Sequence, residues 1–497
     1  MWNTIMAKVK GVLSKLGIIK TIKNVSQLKE IPIDDEAYQQ IDMWKLLYQG
    51  YCAEWHHIVY NTVNGEKRRR MMTLHMPKVI CNEMASLIFN EKCEISISDE
   101  TLAGEIYKIF NQNRFDKHFQ IYLEYMFALG GMVVKPYFED NLVKLSFVTA
   151  DCFIPISWDN QGVREALFVD ETQKGSKKYT LLEWHQWQGD VYVIKNELFE
   201  SESKTSELGH KVPLSILYPE LDEEVMIHNF KRPNFVYFKP NIANNLDMQS
   251  PLGISLFADS LDTLHTLDIA FDSYQREFRL GKRRIIVPAT AVRTIVDDEG
   301  YLQRYFDAND EVYQALGSGD MDSDKIQDCS VELRVEEHIA AINSLLNLLA
   351  MQTGFSAGSF AFDGKSMKTA TEVVSENSKT FKSKQSHENI IEEGLTELIE
   401  CIVQTAELYG VFSRPSTEWD VTILFDDSIA EDRNKEIDKQ TKMVTAGLQS
   451  RKRAIMKLHG LTEEEALDLL EEIMKDKLEM DAFFMESSQP EPEEEAW

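Results

Sequence analysis

The stretch SPLGISLFADSLDTLHTLDIAFDSYQREFRLGKRRIIVP, Ser250 to Pro288, decides how the chain is read. Phe257, Leu261, Leu264, Leu267, Phe271, Tyr274 and Phe278 recur at steps of three and four, so one apolar stripe runs along a helix. Ser250 followed by Pro251 predicts an N-cap and a first helical position, and Gly281 a C-terminal stop. Asp259 and Asp262 fall early, and Arg276, Arg279, Lys282, Arg283 and Arg284 fall late, as the helix dipole favours. At 1.5 Å per residue the rod would be about 45 Å long. Such a rod needs apolar partners along its length, although the core helix of a large α/β enzyme would read the same way.

The chain beyond this helix separates the two readings. Residues 282–334 read as a small strand-rich module, opened by Ile285-Ile286-Val287-Pro288 and closed by Val331-Glu332-Leu333. Glu336 to Gln352 is a second helix, with Ile339, Ile342, Leu345, Leu346 and Leu349 on its apolar side and Thr353-Gly354 as its stop. The loop FSAGSFAFD, Phe355 to Asp363, carries small residues and exposed-looking Phe355, Phe360 and Phe362. A third helix is predicted from near Lys368 to Tyr409. Its second half has Ile391, Leu395, Leu398, Ile402 and Ala406 in core register; its first half, Ser375 to Glu388, is polar nearly all round and is expected to be solvated or to bridge units. Two long helices carrying a small module at their far ends make a stalk with a head, and the class is α+β.

That first stretch and a second, KSMKTATEVVSENSKTFKSKQSHENIIEEGL from Lys365 to Leu395, resemble the portal proteins of tailed bacteriophages, closest to those of long-tailed phages and prophages of Gram-positive hosts. The resemblance covers most of the chain. It implies the phage portal fold: an N-terminal arm and wing over 1–249, a stem helix over 250–281, a β-rich clip over 282–334, a second stem helix over 335–353, a tunnel loop over 354–367, a long helix and wing strand over 368–426, a helical crown over 427–480 and an acidic tail over 481–497. It implies a ring of twelve subunits at one capsid vertex of the virion, assembled in the host bacterial cytoplasm, as the channel for packaging and ejecting double-stranded DNA. It implies no bond chemistry, no cofactor, no metal and no membrane. The partners it implies are the terminase large subunit, the head–tail adaptor, and the major capsid and scaffolding proteins.

On the same resemblance, Phe355, Ser356, Gly358, Phe360, Phe362, Gly364, Lys365 and Lys368 form the loop that faces DNA. Phe257, Leu261, Leu264, Phe271, Arg276, Arg279, Ile342 and Leu346 build the stem. Arg283, Arg284, Arg304 and Asp320 lie on the clip surface offered to the packaging ATPase and later to the adaptor. From the residues alone, the loop is also readable as a connector whose phenylalanines pack on the body.

A chain of 497 residues exceeds one ordinary core, so several modules are expected. Its 43% hydrophobic and 27% charged residues are those of a globular protein, and no apolar run approaches the roughly 20 residues of a membrane span. Lys8, Lys10, Lys15, Lys20 and Lys23 interrupt the apolar N-terminus, which reads as a basic amphipathic helix and not as a secretion signal. Cys52, Cys81, Cys93, Cys152, Cys329 and Cys401 are scattered without a C-x-x-C pair, which points to buried thiols in a reducing compartment. A net charge of −29 argues against a protein that grips phosphates over a basic face. It suits a channel through which a duplex slides, and equally a solvated acidic surface.

Residues 33–125 read mostly as helices, with Asp34 to Tyr51 and Met72 to Phe89 the clearest and Cys93 to Ser98 as a strand. The basic run Lys67-Arg68-Arg69-Arg70 reads as a solvated loop or an intersubunit ion-pair partner in preference to a phosphate site. From Gly131 to Glu200 the period falls to two, with turns at Glu139-Asp140-Asn141, Lys174-Gly175 and Gln188-Gly189-Asp190, so an antiparallel sheet is expected. Phe235 to Phe238 and Trp419 to Asp426 add strands. Ser450 to Leu458 and Thr462 to Lys475 read as two helices, the second with a Thr462/Glu465 capping box and too many acids to lie in a DNA groove. Ser487 to Trp497 is disordered by composition.

The catalytic search returns nothing strong. Gly364-Lys365-Ser366 ends like a P-loop, but its first glycine is displaced by Ser359. Asp320, Asp322 and Asp324 open like a calcium loop that Lys325 and Val331 spoil. His387-Glu388 lacks the second histidine of a zinc protease, since Ile391 stands there. Two rival readings remain, a metal-dependent nucleic-acid-processing enzyme and a monomeric helical adaptor.

Overall fold

The computed structural model describes residues 35–62, 65–202, 208–281, 332–362, 378–416 and 418–425, the strand segments 285–286, 293–296, 302–305 and 327–328, and residues 440–445, 450–459, 466–467, 469–470, 473 and 475. The chain divides into two compact units. One comprises Met1–Ser366 with Lys382–Asp426, the other Met367–Phe381 with Asp427–Trp497.

The core of the first unit is built around helix α4, Phe115–Leu129, which packs among α1 (Asp35–Tyr48), α2 (Met76–Ile88) and α3 (Glu100–Gln112). Phe115, Phe119, Leu123, Met126 and Phe127 fall on one face at helical spacing and are buried. Phe110 stacks on Phe115 at 4.2 Å, and Phe89 meets Phe119 at 4.9 Å. Gly130, in the left-handed region at φ 84°, ends α4 and turns the chain into a sheet.

That sheet has three strands in the order β12-β4-β5. Strand β4, Met132–Glu139, forms a hairpin with β5, Leu142–Thr149, and pairs on its other edge with β12, Val236–Phe238. Asp140 and Asn141 both have positive φ, the two-residue turn whose twist suits a hairpin. The next strands form a larger antiparallel meander: β6 (Phe153–Asp159), β7 (Gly162–Lys174), β8 (Lys177–Gln188) and β9 (Val191–Glu202). Two short strands, β10 (His210–Val212) and β11 (Glu224–Ile227), both pair with the outer edge of β9. The expected sheet is thus present, split in two and longer than its apolar runs. Strand β3, Glu94–Ile97, pairs with β17, Val421–Leu424, from the far end of the unit's sequence.

Residues 35–125 are mostly helical, as expected, with a hairpin that was not. His57–Thr62 (β1) and Gly65–Arg70 (β2) form a two-stranded hairpin, so the basic run is a strand and not a loop. The Asn64-Gly65 dipeptide is the signal that was available for it.

The long helix α5 runs from Leu261 to Leu280, not from Ser250. Its length is therefore about 30 Å. Residues 252–257 are instead irregular and buried at Leu252, Ile254, Leu256 and Phe257, and the Leu256 N–H donates to Phe127 O at 2.8 Å. Gly253 and Gly130 bring two backbones together: a Cβ on Gly253 would lie 2.3 Å from Gly130 O. This docking against the end of α4 overrides the Ser250-Pro251 start signal. A 3₁₀ turn, Ala258–Ser260, leads into α5.

Helix α6, Val335–Gln352, packs against α5, and its first residues meet the last turn of α5, so the two are antiparallel. Between them in sequence, β13 (Ile285–Ile286) pairs with β16 (Gln327–Asp328), and β14 (Arg293–Val296) with β15 (Leu302–Tyr305). Helix α7, Ser378–Leu408, buries Ile391, Leu395, Leu398, Ile402 and Ala406. The described part of its polar first half is not solvated all round: Lys384, His387 and Glu388 are buried, with Lys384 Nζ 2.5 Å from Glu388, while Lys379, Lys382 and Gln385 are exposed. In the second unit α8, Arg451–His459, starts at Ser450, whose Oγ accepts the Arg453 N–H at 3.2 Å. The Thr462/Glu465 box, the N-terminal arm through Asp34 and the tail lie outside the described residues. The five described cysteines are free.

Candidate nucleic-acid interface

The α5–α6 pair and the loop after it bring together most of the described candidate residues. Along α5 the apolar stripe changes environment. Phe257, Leu261 and Leu264 are buried, Phe271 and Tyr274 half-buried, and Phe278 exposed together with Arg276 and Arg279. On α6, Ile342 and Leu346 are buried against the core. The helices therefore leave the hydrophobic core toward the ends that flank the insert over 282–334, where packing gives way to charge. Arg334, just before α6, grips Glu277 of α5 through Nε at 3.1 Å and Nη2 at 3.0 Å. The guanidinium and the Arg334 N–H hold the Glu277 carboxyl down at about 2. This clamp joins the two helices where the strand-rich insert departs.

The middle of α5 is held from the other side by carboxylates. Asp272 Oδ1 and Oδ2 take Nη1 and Nη2 of Arg69, each at 2.7 Å, and Oδ1 also accepts the Met72 N–H at 3.2 Å. One turn earlier, Asp268 accepts the Leu74 N–H at 3.2 Å and lies 3.2 Å from His56 Nε2. The Cys52 N–H donates to His56 Nδ1 at 2.8 Å, which leaves Nε2 to donate to Asp268. Two acids four residues apart present one face, so the basic hairpin is bound within its own subunit through Arg69. Sequence reasoning missed Asp268 and Asp272 because they sit off the apolar stripe. Their partners lie about 200 residues away.

After α6 the chain reverses with Gly354 at φ 84° and the Phe355 N–H on Ala350 O at 2.8 Å, the bond pattern of a glycine helix stop. Phe355 is 2% exposed and meets Phe360 at 5.1 Å. The loop then runs back along α6: the Gly358 N–H donates to Asn347 Oδ1 and the Phe362 N–H to Asn343 Oδ1, both at 2.8 Å. Phe362 meets Tyr274 edge-on at 5.5 Å and Phe271 at 6.2 Å. The expectation of exposed phenylalanines is corrected: Phe355 is core, and Phe360 and Phe362 are half-buried. Ser356 is buried and Gly358 exposed. Asn343 and Asn347, one turn apart on α6, are the loop's positioning residues, and a 3.6-residue count could have found them. Gly364, Lys365, Lys368, Arg283, Arg284 and Asp320 lie outside the described residues; Arg304 is in β15.

Among the described residues no group of three His, Cys, Asp or Glu side chains is placed to hold a metal ion, and no helix is long and apolar enough to cross a membrane. A shallow cleft of about 640 Å³ lies between α7 and the chain around Trp419, lined by Arg232, Glu397, Glu400, Arg414, Glu418 and Asp420; Arg232 pairs with Glu397 and Arg414 with Glu400 across its wall.

The chain matches the family "phage portal protein, SPP1 Gp6-like" over residues 27–478. It belongs to that family. The match takes in most of both units and the whole of the α5–α6 pair. No curated protein gave a match. Portal proteins are structural and not catalytic, and they act as ring oligomers through which DNA passes at the capsid vertex of the virion. The enzyme reading is thereby set aside, and the monomeric adaptor with it. What this portal protein does, it does by shape, charge and assembly.

Proposed function

We propose that the subunit forms a dodecameric ring whose α5 and α6 helices are the stem, with the insert over 282–334 as the clip, residues 354–367 as the tunnel loop, 1–249 as arm and wing, 368–426 as long helix and wing strand, and 427–480 as the crown. The observation that carries this reading is the antiparallel α5–α6 pair, clamped by Glu277–Arg334, with a strand-rich insert at one end and a glycine-bounded loop at the other, inside a chain matched by the portal family over 27–478. In this reading Arg276 and Arg279, with Arg283, Arg284, Arg304 and Asp320, lie toward the clip. There the terminase large subunit docks first and the head–tail adaptor later. Terminase hydrolyses ATP; the portal supplies the passage. Lys365 and Lys368 set positive charge near the phosphates, while the acidic subunit keeps the duplex from sticking to the wall. The wing meets the major capsid and scaffolding proteins, and the ring assembles in the host cytoplasm.

The test is the native mass of the purified protein together with negative-stain images of the same sample. Twelve times the 57.3 kDa subunit, with a central hole, is the expected outcome. A monomer at high concentration, unchanged by salt or by added scaffolding protein, would overturn the ring.

A further inference from the structure

The β1–β2 hairpin has two unlike faces. Cross-strand register puts Ile58 beside Arg69, and Arg69 points to Asp272. The alternate positions, His57 beside Arg70, Val59 beside Arg68 and Asn61 beside Glu66, face the other way. There Arg68 Nε donates to Glu66 Oε1 at 2.9 Å, an exposed pair, and Arg70 Nη2 donates to Gly50 O at 2.7 Å, so the face keeps a net positive charge with one acid on it. Arg70 also lies over the ring of Tyr51, 5.1 Å from its centre. Val59 is 49% exposed and Tyr51 39%. Arginine, tyrosine and an aliphatic side chain on one exposed face are the composition of a protein interface. A phosphate backbone would call for the cations without Val59. The occupant is therefore a protein surface that is acidic and partly apolar.

This chain carries such a surface. Glu220, Asp222, Glu223 and Glu224 are all exposed, with Leu221 at 37% and Met226 at 58% exposure among them. None of the four carboxylates makes an ion pair among the described residues. The strip is fixed by its backbone: Asn196 Nδ2 donates to Asp222 O and the Asn196 N–H to Glu223 O, both at 2.8 Å. It lies along the outer edge of β9, while the hairpin is tied to α5, so the two belong to different elements. A ring requires a heterologous contact in which two different patches meet.

Taking the ring of the family as given, we infer that the basic face of the hairpin in one subunit seats on the Glu220–Met226 strip of the next. Arg68 and Arg70 meet the carboxylates, and Val59 and Tyr51 meet Leu221 and Met226.

The test uses the full chain with Arg68→Cys and Asp222→Cys combined, and each substitution alone. Under mild oxidation the double variant should give a ladder of covalent multimers, which neither single variant gives. Separately, Arg68→Glu should raise the concentration for half-assembly by about tenfold, and Asp222→Arg added to it should restore assembly. Rings seen by negative stain without a ladder overturn this contact and leave the ring intact. No rings and no ladder overturn the ring reading itself. If Arg68→Glu leaves assembly unchanged and instead weakens DNA binding by the ring, the face is a nucleic-acid surface and the inference fails.

Discussion

His387 shows how much of this protein's behaviour rests on single buried groups. Its Nδ1 accepts the Asn241 N–H at 3.0 Å, and its ring meets Phe127 edge-on at 5.0 Å. Burial pushes the imidazole from its usual 6.5 down to about 4. A histidine lowered in this way is neutral in the fold and must charge when the chain unfolds in acid. Its contribution is thus fully present above pH 6.5 and is lost as pH falls toward 4. The difference amounts to about 2 kcal/mol between pH 7 and pH 5. His387→Gln, which keeps an acceptor for Asn241 but cannot titrate, should flatten that part of the stability–pH curve measured by urea unfolding. An equal pH slope in both proteins would place the acid sensitivity elsewhere. Asp272 makes a second prediction. Asp272→Ala leaves the Arg69 guanidinium and the Met72 N–H without their acceptor, which should cost about 3 kcal/mol. Replacing Arg69 by Met in the same chain should recover part of the loss. A double-mutant cycle read by urea midpoints checks it, and additive losses would show that the two side chains do not act as a pair.

At the scale of elements, the helices and the meander were legible because their signals are local. The three- and four-residue steps of α5 and α6 and the two-residue period from Gly131 onward report burial on one face directly. The start of α5 was misread because Ser250-Pro251 is a sound local signal that a distant contact defeats. Leu252, Ile254 and Leu256 gain burial, and the Leu256 N–H gains Phe127 O, only if the helix begins later. Nothing in the local sequence encodes Phe127. Likewise Phe355, Phe360 and Phe362 lie in a loop of small residues and look exposed until Asn343 and Asn347 are seen to fold the loop back on α6. The two glycines at the start of this docking can be tested directly. Gly253→Ala would force a Cβ to 2.3 Å from the backbone oxygen of Gly130 and 2.9 Å from Lys239 Cβ, neither of which is the far end of a flexible side chain, so neither can yield cheaply. Loss of more than about 2 kcal/mol is expected, against a gain of about 0.5–1 kcal/mol for Gly104→Ala, an exposed position inside α3 where a Cβ meets nothing and alanine is the better helix former. Asn343→Ala with Asn347→Ala should leave the fold intact but speed exchange of the Gly358 and Phe362 amides by at least about tenfold. Unchanged exchange would mean that Phe355 and Phe362 alone hold the loop.

For the whole molecule, the charge balance sets two opposing terms in ring assembly. Each subunit carries 82 acidic against 53 basic residues, a net −29, so neighbours in a ring repel one another at long range. The Debye length shrinks from about 30 Å at 0.01 M salt to about 8 Å at 0.15 M, so modest salt removes most of that repulsion. A contact between arginines and carboxylates acts over a few ångströms. It survives 0.15 M salt and weakens only as the Debye length approaches about 3 Å near 1 M. The two ranges differ enough to be separated in one titration. Assembly followed by native mass should therefore rise from 0.01 to 0.15 M salt and fall again toward 1 M. The Arg68→Glu variant should lack the high-salt fall, because its neighbours no longer share the ionic contact, and should assemble more strongly as salt increases throughout. A wild type that only gains assembly with salt would leave net repulsion as the sole electrostatic term and assign the ring to apolar packing. One that only loses assembly would mean that contacts between opposite charges dominate at every range, despite the acidic excess of each subunit.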